Sequence, residues 1–442
     1  MIRNRSAVET TIDRKIVLDC LEAGIRAGEP GRVLEQAVCL EGNELVVDST
    51  RYPLDEVDRV LVVGGGKAAG RQARAMEALL GERIDDGIVV TSDPVPTDTV
   101  TVRTGDHPVP TDRNVAGTRE MCELVATADD RALVIVVVSG GGSALMSAPV
   151  EGVPLSDVQQ LTTDMLESGA TIDEINAVRK HLSTVKGGQL ASLAAPAQVV
   201  AIVMSDVVGN DPAVIASGPT VPDRGSFEDA ITVIDRYAID PPTSVADRLA
   251  EGVDGCVPET PGPTDPVFSH SETHIVASGM TAATAAADCA TDHGVDSIIL
   301  STRIRGEARE VGGIHVAIAE EVLASDNPIP TPGILITGGE TTVTVDGSGR
   351  GGPNQELALA AAIEIDGPIT LGAIDTDGID GTGPAAGAVV DRTTAETPVS
   401  ARAALDANDA YAFLSERDDA IETGPTGTNL NDLRVVLASD SD

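Results

Sequence analysis

The stretch from Val60 to Leu80 constrains the fold most strongly, because it joins an apolar run, a glycine turn and a helical pattern. Val60–Val63 is a run of apolar residues, which predicts a short buried strand. Three glycines and Lys67 follow directly, and residues 68–80 have helical periodicity. A glycine turn between a strand and a helix directs backbone N–H groups and the helix N-terminus toward an anion. The stretch therefore predicts an anion-binding turn.

The same arrangement occurs twice more in the chain. Leu133–Val138 is entirely aliphatic, which is typical of a strand buried on both faces of a parallel sheet, and it leads into the glycine loop 139–143. Gly333–Thr337 leads into a third loop, 338–340. The alternation of strands and helices predicts two α/β domains, the N-terminal one Rossmann-like with a mostly parallel sheet. Ligands of such sheets bind beyond the carboxyl ends of the strands, so we expect the site at these loops.

The length of 442 residues predicts two domains, since single hydrophobic cores stop growing at about 250–300 residues. Residues 252–269 hold four prolines and three glycines, which is typical of a linker. We therefore expect an N-terminal domain over residues 1–251 and a C-terminal α/β domain over residues 270–442. The second domain should open with a strand at His274–Ala277.

The net charge of −40 excludes several classes of partner. A field of this sign repels nucleic acid and anionic lipid, and three tyrosines with three phenylalanines cannot build a base-stacking platform. We expect no nucleic-acid and no membrane partner. The acidic residues are spread along the chain, as in a cytoplasmic protein adapted to high salt. Five scattered cysteines, no visible signal peptide and no apolar run of about 18 residues agree with a cytoplasmic location.

Lysine is scarce: only four of the 30 basic residues are lysines. Each lysine is therefore a candidate for a site that needs an ammonium group. Lys67 lies in the first glycine turn, whereas Lys180 and Lys186 lie in Ile172–Leu193, which predicts one long helix. One face of that helix would carry polar and basic residues at spacings of three and four: Asn176, Arg179, Ser183 and Lys186. We expect this face to contact a phosphate or a carboxylate.

A further cationic candidate is Arg350, which lies between glycines after a predicted strand, Thr341–Val345. An arginine in a flexible loop is suited to stabilising the charge of a transferring phosphoryl group.

Aspartates follow two other predicted strands, Val199–Met204 and Ile369–Ile374: Asp206, Asp211, Asp375 and Asp377. The second set resembles a calcium loop but fails its pattern, because Ile379 and Ala386 occupy two ligand positions. Carboxylates at strand ends can hold Mg²⁺ or orient a hydroxyl, and the spacing leaves open which acid does which. The six histidines form no metal-like pair, and only His107, in a loop, is of interest.

Other motifs compete for the glycine loops. Residues 64–69 match G-x-G-x-x-A, so a dinucleotide fold is the first alternative. The ribose-binding acid expected about 20 residues later is poorly placed, because Asp93 lies in a proline-rich turn. A Walker A loop is excluded, since its closing G-K-[ST] is absent here. The loop 139–143 fails the G-x-S-x-G pattern of esterases, so we favour anion binding by its N–H groups and hydroxyls.

Taken together, these segments resemble the glycerate 2-kinase family, whose C-terminal region is the MOFRL domain. The resemblance covers almost the whole chain in the family's order, and its principal motifs are VVGGGKAAG (62–70), TGDHPVPTDRN (104–114), VSGGGSALMSAP (138–149), INAVRKHLSTVKGGQLA (175–191), LITGGETTVTVDGSGRGGPNQELALA (335–360) and GAIDTDGIDGTGPAAGAVVD (372–391).

The resemblance implies phosphorylation of D-glycerate to 2-phosphoglycerate by ATP with Mg²⁺ or another divalent cation, in a cleft between two α/β domains. It also implies that Lys67 and Arg350 match two important cationic positions of the family. We expect Lys67, Arg350 and Asp206 to be catalytic, and Asp211 and Asp377 to bind the metal. The residues expected to bind D-glycerate or ATP lie in the loops and helices described here: Gly65, Gly66, Ser139, Gly140, Gly141, Gly142, Ser143, Asn176, Arg179, Lys180, Lys186, Gly338, Gly339, Glu340, Asn354, Glu356, Asp375 and Asp377.

Two other functions remain open. One is an NAD(P)-dependent hydroxypyruvate reductase, a label that relatives in this family often carry, supported here only by the motif at 64–69. The other is a non-catalytic sensor of sugar acids or nucleotides, against which the clustered acids and cations argue. The sequence also leaves open whether the product is 2- or 3-phosphoglycerate and whether the protein is a homodimer.

Overall fold

The computed structural model describes residues 1–439 and divides into two compact units. One unit, here called the central unit, comprises Pro30–Val276. The other, here called the terminal unit, combines Met1–Glu29 with the chain from Ala277 onward.

The helices of the described residues are α1 Arg5–Val8, α2 Ile12–Ala27, α3 Pro30–Ala37, α4 Ala69–Leu80, α5 Asp112–Val125, α6 Gly142–Leu145, α7 Leu155–Glu167, α8 Ile172–His181, α9 Gln189–Ala194, α10 Phe227–Arg236, α11 Thr243–Val253, α12 Gly279–Asp292, α13 Ala308–Ser325, α14 Pro353–Glu364, α15 Pro398–Asp406 and α16 Ala410–Ser415. Short 3-10 turns occur at Leu54–Glu56, Gly81–Arg83, Ile215–Ser217 and Pro266–His270.

The strands are β1 Val38–Glu41, β2 Glu44–Val47, β3 Thr50–Pro53, β4 Arg59–Gly65, β5 Asp86–Thr91, β6 Thr101–Thr104, β7 Ala132–Val138, β8 Gln198–Met204, β9 Ser271–Ala277, β10 Asp296–Ile304, β11 Gly333–Gly339, β12 Ile369–Asp375, β13 Gly387–Val390, β14 Ala420–Ile421 and β15 Asp432–Ala438.

The central unit is built on a six-stranded sheet of order β6-β5-β4-β7-β8-β9, beside a small antiparallel sheet of β1, β2 and β3. Strands β4 to β8 of the larger sheet pair in parallel. Successive residues of β4 enter different cores: Val60 and Val62 pack on one face, Leu61 and Val63 on the other. Both faces are therefore covered, which explains the purely aliphatic sequence of β7. The prediction of a Rossmann-like, mostly parallel sheet is confirmed.

The terminal unit contains a mixed sheet of order β10-β11-β15-β12-β13-β14. β10 and β11 are parallel, but β15 pairs antiparallel with β11 on one side and with β12 on the other. The last described strand of the chain thus lies in the middle of this sheet, between two strands that precede it by 57 or more residues.

The units differ from the predicted domains 1–251 and 270–442 at both boundaries. β9 is the edge strand of the sheet of the central unit. Residues 271–276 are therefore the last residues of the central unit and not the first of the C-terminal domain that the sequence predicted. α2 packs on α12, β12 and β15 of the terminal unit. A Cβ atom on Gly24 would lie 2.3 Å from Leu433 Cδ2, which shows how closely α2 approaches β15. No local pattern marks these long-range contacts, so composition alone misplaced the boundaries.

No helix among residues 1–439 is both long enough and apolar enough to cross a bilayer.

Candidate functional site

The turn after β4 lies against the loop after β7 and leaves no space for a side chain. Gly66 has a φ of +144°, and a Cβ atom added there would lie 2.2 Å from Oγ of Ser139. Gly64 has a φ of +139°, and its Cβ atom would lie 2.0 Å from the carbonyl oxygen of Val137. The glycines are therefore needed for the close packing of the two loops.

The backbone amides of this turn are already used within the protein. Three consecutive N–H groups donate to protein acceptors: Gly66 N to Val90 O (3.1 Å), Lys67 N to Gly140 O (2.8 Å) and Ala68 N to Ser139 Oγ (2.9 Å). These three amides are engaged within the protein, and the binding role predicted for Gly65 and Gly66 stays a prediction. The turn positions the side chain of Lys67 at the carboxyl end of the sheet.

The loop after β7 has free amides instead. Within the described residues, the N–H groups of Gly140 and Gly141 donate to no acceptor. Gly141 has a φ of +76°, and a Cβ atom added there would lie 2.9 Å from His107 Cδ2 and 3.3 Å from Lys67 Cγ. Two backbone donors thus lie beside a lysine and a histidine side chain. Such a group of donors is suited to binding an anion.

A polar cluster, here called the Arg179 cluster, adjoins this loop, with Asn176 and Ser217 buried and Ser143 and Arg179 half-buried. Arg179 Nη1 donates to Ser143 Oγ (3.1 Å), the Oγ atoms of Ser143 and Ser217 are 2.7 Å apart, and Ser217 Oγ donates to Asn176 Oδ1 (2.9 Å). No carboxylate of the described chain forms an ion pair with Arg179. Nδ2 of Asn176 is buried and has no hydrogen-bond partner. The cluster therefore has donors for which the protein supplies no acceptor.

Lys186 holds the backbone beside this cluster. Its side chain is buried, and Nζ donates to the carbonyl oxygens of Ser143 (2.6 Å) and Met146 (2.8 Å). Burial, with a smaller contribution from the positive charge of Arg179, lowers the pKa of Lys186 to about 7. The side chain fixes the turn 143–146 and, with it, the hydroxyl of Ser143.

The prediction of one helix over Ile172–Leu193 is wrong. α8 ends at His181, and the chain turns through Gly187 (φ +58°) and Gly188 (φ +79°) before α9 begins. The N–H groups of these glycines donate to the carbonyl oxygens of Ser217 (2.9 Å) and Gly218 (2.7 Å). α8 ends before these glycines, with Leu182 as its C-cap. Ser183 forms a β-bridge with Pro149, and the two left-handed glycines directly precede α9. Asn176 and Arg179 still share a face of α8, whereas Ser183 and Lys186 lie outside the helix.

Other predicted residues of the central unit have structural partners. Lys180 Nζ forms a buried ion pair with Asp223 Oδ1 (3.0 Å), and the ammonium group keeps the pKa of Asp223 low although burial opposes this. Asp211 is exposed and accepts from Ala213 N (2.9 Å), so it caps a turn. Asp206 is partly buried and follows β8 at the carboxyl edge of the sheet.

In the terminal unit, strand register gathers buried acids at one edge of the sheet. β11 and β12 end at this edge, and the antiparallel β15 begins there, so Asp432 lies opposite both Gly339 and Asp375. The loop 338–340 is closely packed: a Cβ atom on Gly339 would lie 2.1 Å from the carbonyl oxygen of Ile304. Glu340 is exposed, and its N–H donates to that same oxygen (2.9 Å).

A hydrogen-bond network, here called the Asp432 network, connects this edge to α14. Asn354 Nδ2 donates to Asp432 Oδ1 (2.7 Å) and to Asp380 Oδ1 (3.2 Å). Asp380 also accepts from the backbone N–H groups of Asn354 (3.0 Å) and Gln355 (2.9 Å), which caps the N-terminus of α14. Arg434, which is fully buried, forms an ion pair with Asp432. Asp380, Asp432 and Arg434 were not predicted as site residues, although the segment 433–437, which is aliphatic except for Arg434, could have identified the strand that carries two of them.

Burial dominates the ionisation of these acids. It raises the pKa of Asp375 well above the usual range, and the charges of Asp377 and Asp432 add to this. It also raises the pKa of Asp380 to about 6, although two backbone N–H groups oppose the shift. No group of three or more His, Cys, Asp or Glu side chains within residues 1–439 is arranged to hold a metal ion. The metal site predicted at Asp211 and Asp377 stays a prediction.

Two further predicted residues differ in their surroundings. Glu356 is buried and accepts from Arg309 Nε (3.0 Å) and Asn408 Nδ2 (3.2 Å), so it joins α14 to its neighbours, and its predicted binding role stays a prediction. Arg350 is exposed, its guanidinium lies 5.4 Å from the ring centroid of Tyr411, and no described carboxylate pairs with it. The predicted strand 341–345 is an irregular segment.

Comparison with known proteins places the chain in a family. The model described as a domain of unknown function, DUF4147, matches residues 16–250, and the model of the MOFRL family matches residues 333–432. The chain is 39% identical over 433 residues to a protein from Thermotoga maritima named D-glycerate 2-kinase, and the match covers 96% of this chain and 98% of that protein.

The chain belongs to the glycerate 2-kinase family.

The solved structure of a glycerate kinase from Thermotoga maritima matches this chain with a TM-score of 0.84 and 39% sequence identity. The match covers 96% of this chain and 98% of the chain in that structure. A second relative of similar identity carries another name: a protein from Agrobacterium vitis called putative hydroxypyruvate reductase is 39% identical over 390 residues, with 86% of this chain and 99% of that protein covered. The fold of this member of the glycerate 2-kinase family is thus that of a solved glycerate kinase.

In this member of the glycerate 2-kinase family, the two matched regions contain different polar sites. The DUF4147 match contains the turn at Lys67, the loop 139–143 and the whole Arg179 cluster. The MOFRL match contains Arg350 and ends at Asp432, so it includes most of the Asp432 network. Each matched region therefore holds one of the two polar sites. The expectation of an active site in the inter-domain cleft stays a prediction.

Proposed function

We propose that this protein transfers the γ-phosphoryl group of ATP to the 2-hydroxyl of D-glycerate, giving 2-phosphoglycerate and ADP. The observation that carries the proposal is the similarity to a D-glycerate 2-kinase over 96% of the chain, which spans both matched regions. Phosphoryl transfer needs positioned donors and cations more than covalent chemistry, and the strand-end loops supply both.

Lys67 is our principal catalytic candidate. Its position is fixed by a turn whose amides are all engaged, and its side chain lies beside the free N–H groups of Gly140 and Gly141. An ammonium group and two amides can bind the oxygens of a phosphoryl group and stabilise the charge that spreads over them in the transition state. The loop 139–143 would then hold the anion, as the sequence predicted.

Arg350 and Asp206 complete the proposed catalytic residues. Arg350 is exposed on a glycine-rich loop and pairs with no described acid, so its charge is available to a phosphate or carboxylate oxygen. Asp206 follows a strand at the carboxyl edge of its sheet, where a carboxylate can accept the proton of the attacking hydroxyl.

A divalent cation would act with ATP and not as a resident ion. The described side chains do not fit a dedicated protein cage, because no three acids or other ligands converge. Mg²⁺ is commonly bound through substrate phosphates and one or two carboxylates, and we keep Asp211 and Asp377 as the proposed protein ligands.

The reductase name of the Agrobacterium vitis relative suggests a second activity, but the turn that would bind its cofactor argues against it. In a dinucleotide-binding fold, the amides of the G-x-G-x-x-A turn and the helix N-terminus receive the pyrophosphate. Here the N–H groups of residues 66–68 donate to protein acceptors, and a proline-rich turn follows β5. The kinase is therefore the better supported activity.

One experiment separates the candidate functions. Full-length protein is assayed in high KCl, because we also propose a cytoplasmic protein that works at high salt. ADP formation that requires D-glycerate supports the kinase, and oxidation of NAD(P)H with hydroxypyruvate supports the reductase. Binding of D-glycerate without either reaction would indicate a sensor and would contradict the proposal.

A further inference from the structure

The Arg179 cluster has the composition of a binding pocket for a small anion. In a chain with 70 acidic and 30 basic residues, a half-buried arginine such as Arg179 is expected to have a carboxylate partner. Arg179 nevertheless has no acidic partner, and its hydrogen bond goes to a neutral serine hydroxyl. Burial lowers the pKa of Arg179, which records the cost of holding this charge without a counter-ion.

A second, independent observation comes from Asn176. Its side chain is only 4% exposed, its Oδ1 accepts from Ser217, and its Nδ2 has no partner. An amide donor left unpaired in the interior costs about 1–3 kcal/mol unless a ligand satisfies it. Asn176 and Arg179 lie three residues apart on α8, so their side chains extend on the same side.

Ser143 and Ser217 connect the side chain of Arg179 to that of Asn176 through hydrogen bonds. Ser217 has a φ of +62° and Ala216 a φ of +50°, conformations that non-glycine residues adopt at a cost. This strained turn brings Ser217 Oγ to 2.7 Å from Ser143 Oγ. This contact completes a continuous series of hydrogen bonds from Asn176 through Ser217 and Ser143 to Arg179.

We infer that Asn176 and Arg179, held in place by Ser143 and Ser217, form the subsite that binds the carboxylate of the acceptor substrate. The inference rests on the proposed function, because it assigns one part of the 2-hydroxy acid to one part of the site. The planar fork of a guanidinium matches the two oxygens of a carboxylate, and the free amide hydrogen of Asn176 supplies a further donor.

The charge of the cluster favours a carboxylate over a polyphosphate. Lys186 already donates to two carbonyl oxygens, so its Nζ hydrogens are directed at the backbone and not at a ligand of the cluster. One guanidinium then balances one carboxylate. The triphosphate of ATP carries several negative charges and would be left mostly uncompensated here.

The test measures ligand binding to the full-length protein by calorimetry, with D-glycerate, glycerol and ATP with MgCl₂ as the probes. Asn176→Asp keeps the acceptor for Ser217 and the shape of the side chain, but it removes the amide donor and adds a charge that pairs with Arg179. Arg179→Gln removes the guanidinium. Arg236→Gln is the matched control, because Arg236 lies on the surface of the same unit, 59% exposed and outside the cluster.

We expect both cluster variants to weaken D-glycerate binding by about 10- to 100-fold, the range for a hydrogen bond to a charged group, without changing the affinity for ATP. Glycerol, which lacks the carboxylate, should bind weakly to all proteins alike. Unchanged D-glycerate affinity in both variants, or a loss of ATP affinity in its place, overturns the subsite.

The same samples separate this inference from the proposed function. If the wild type binds D-glycerate, the variants lose that binding and no protein forms ADP, the subsite stands and the kinase proposal fails. If the wild type forms ADP and the variants keep its D-glycerate affinity, the kinase proposal stands and the subsite fails. A wild type that does not bind D-glycerate contradicts the subsite. Thermal unfolding of each variant verifies that it is folded.

Discussion

Replacement of Arg434 by methionine should destabilise the terminal unit strongly. Arg434 is completely buried, and its guanidinium donates to Asp432 and to Thr341 Oγ1 (3.1 Å). It is the basic partner of Asp432, and the charges of Asp380, which is buried, and Asp375, which is half-buried, also act on its guanidinium. Methionine fills much of the volume, so the main effect is to leave a buried carboxylate without its counter-ion.

Breaking a buried ion pair from one side costs about 3–5 kcal/mol of the free energy of unfolding. For a unit of this size, each kcal/mol lowers the melting temperature by about 2–4 °C, so we expect a decrease of about 6–20 °C. Differential scanning calorimetry of the full-length protein measures it.

The stability that Arg434→Met loses relative to the wild type should depend on pH in a defined direction. In the wild type, burial raises the pKa of Asp432 and the charge of Arg434 lowers it. Without Arg434, the pKa of Asp432 in the folded state rises further above its unfolded value. The folded variant then binds a proton that the unfolded chain does not, so its deficit relative to wild type grows as pH rises and shrinks as pH falls.

The double variant Arg434→Met/Asp432→Asn is the control for charge as the cause. Asparagine keeps an acceptor for Asn354, and the buried charge is gone, so about 1–3 kcal/mol of the loss should be recovered. A single variant that loses less than about 1 kcal/mol, or a double variant no more stable than the single one, would refute the reasoning.

Three other changes test separate parts of the structure. Lys67→Ala should reduce kcat by about 100-fold or more at an unchanged melting temperature. The control Lys15→Ala, which removes an exposed ion pair, should keep wild-type turnover. Equal turnover in the two variants would show that Lys67 is not catalytic. Gly66→Ala should lower activity and stability, because its Cβ atom would lie 2.2 Å from a serine hydroxyl, whereas Gly31→Ala, with no atom within 4 Å of the new Cβ, should be nearly neutral; similar melting curves would contradict this. Burial lowers the pKa of His315 to about 4, so between about pH 6.5 and 4 the unfolded chain binds its proton first and the free energy of unfolding falls by up to about 3 kcal/mol as pH falls. His315→Gln should flatten that part of the stability curve, measured by urea unfolding at several pH values, and an unchanged slope would sink the assignment.

The central unit was largely predictable from the sequence because its signals are local. Aliphatic runs such as Leu133–Val138 identify buried parallel strands, and the glycines that follow them identify the strand-end loops. The helix after Ile172 was predicted too long, because apolar periodicity continues across the non-helical segment 182–188, which ends in two left-handed glycines. Periodicity records which residues face the core, and it does not show where the backbone leaves the helix.

The terminal unit was harder to predict because its contacts are long-range. α2 belongs to it although about 250 residues separate α2 from α12, and no local pattern records that contact. The Asp432 network depends on the antiparallel register of β15 against β11 and β12. A one-residue shift in that register would move Asp432 away from Asp375, so the buried acids could not be found from spacing.

In the candidate site, too, only the features with a local sequence signal could be predicted. Lys67, the loop 139–143 and Arg350 could be proposed from the sequence because glycines flank each of them and lysine is scarce. The hydrogen bonds of the first turn could not be predicted, because its amides are engaged by residues distant in sequence, such as Val90 and Ser139. Burial of Glu356 against Arg309 likewise depends on the packing of α13 and α14.

The central claim is that this protein phosphorylates the 2-hydroxyl of D-glycerate, and the most direct measurement is the ³¹P NMR spectrum of the product formed from D-glycerate, ATP and MgCl₂. A phosphate on C2 is coupled to the single proton of that carbon, so the account predicts a phosphomonoester doublet together with ADP. A triplet, which two protons on C3 would produce, or the absence of any new phosphomonoester would contradict it.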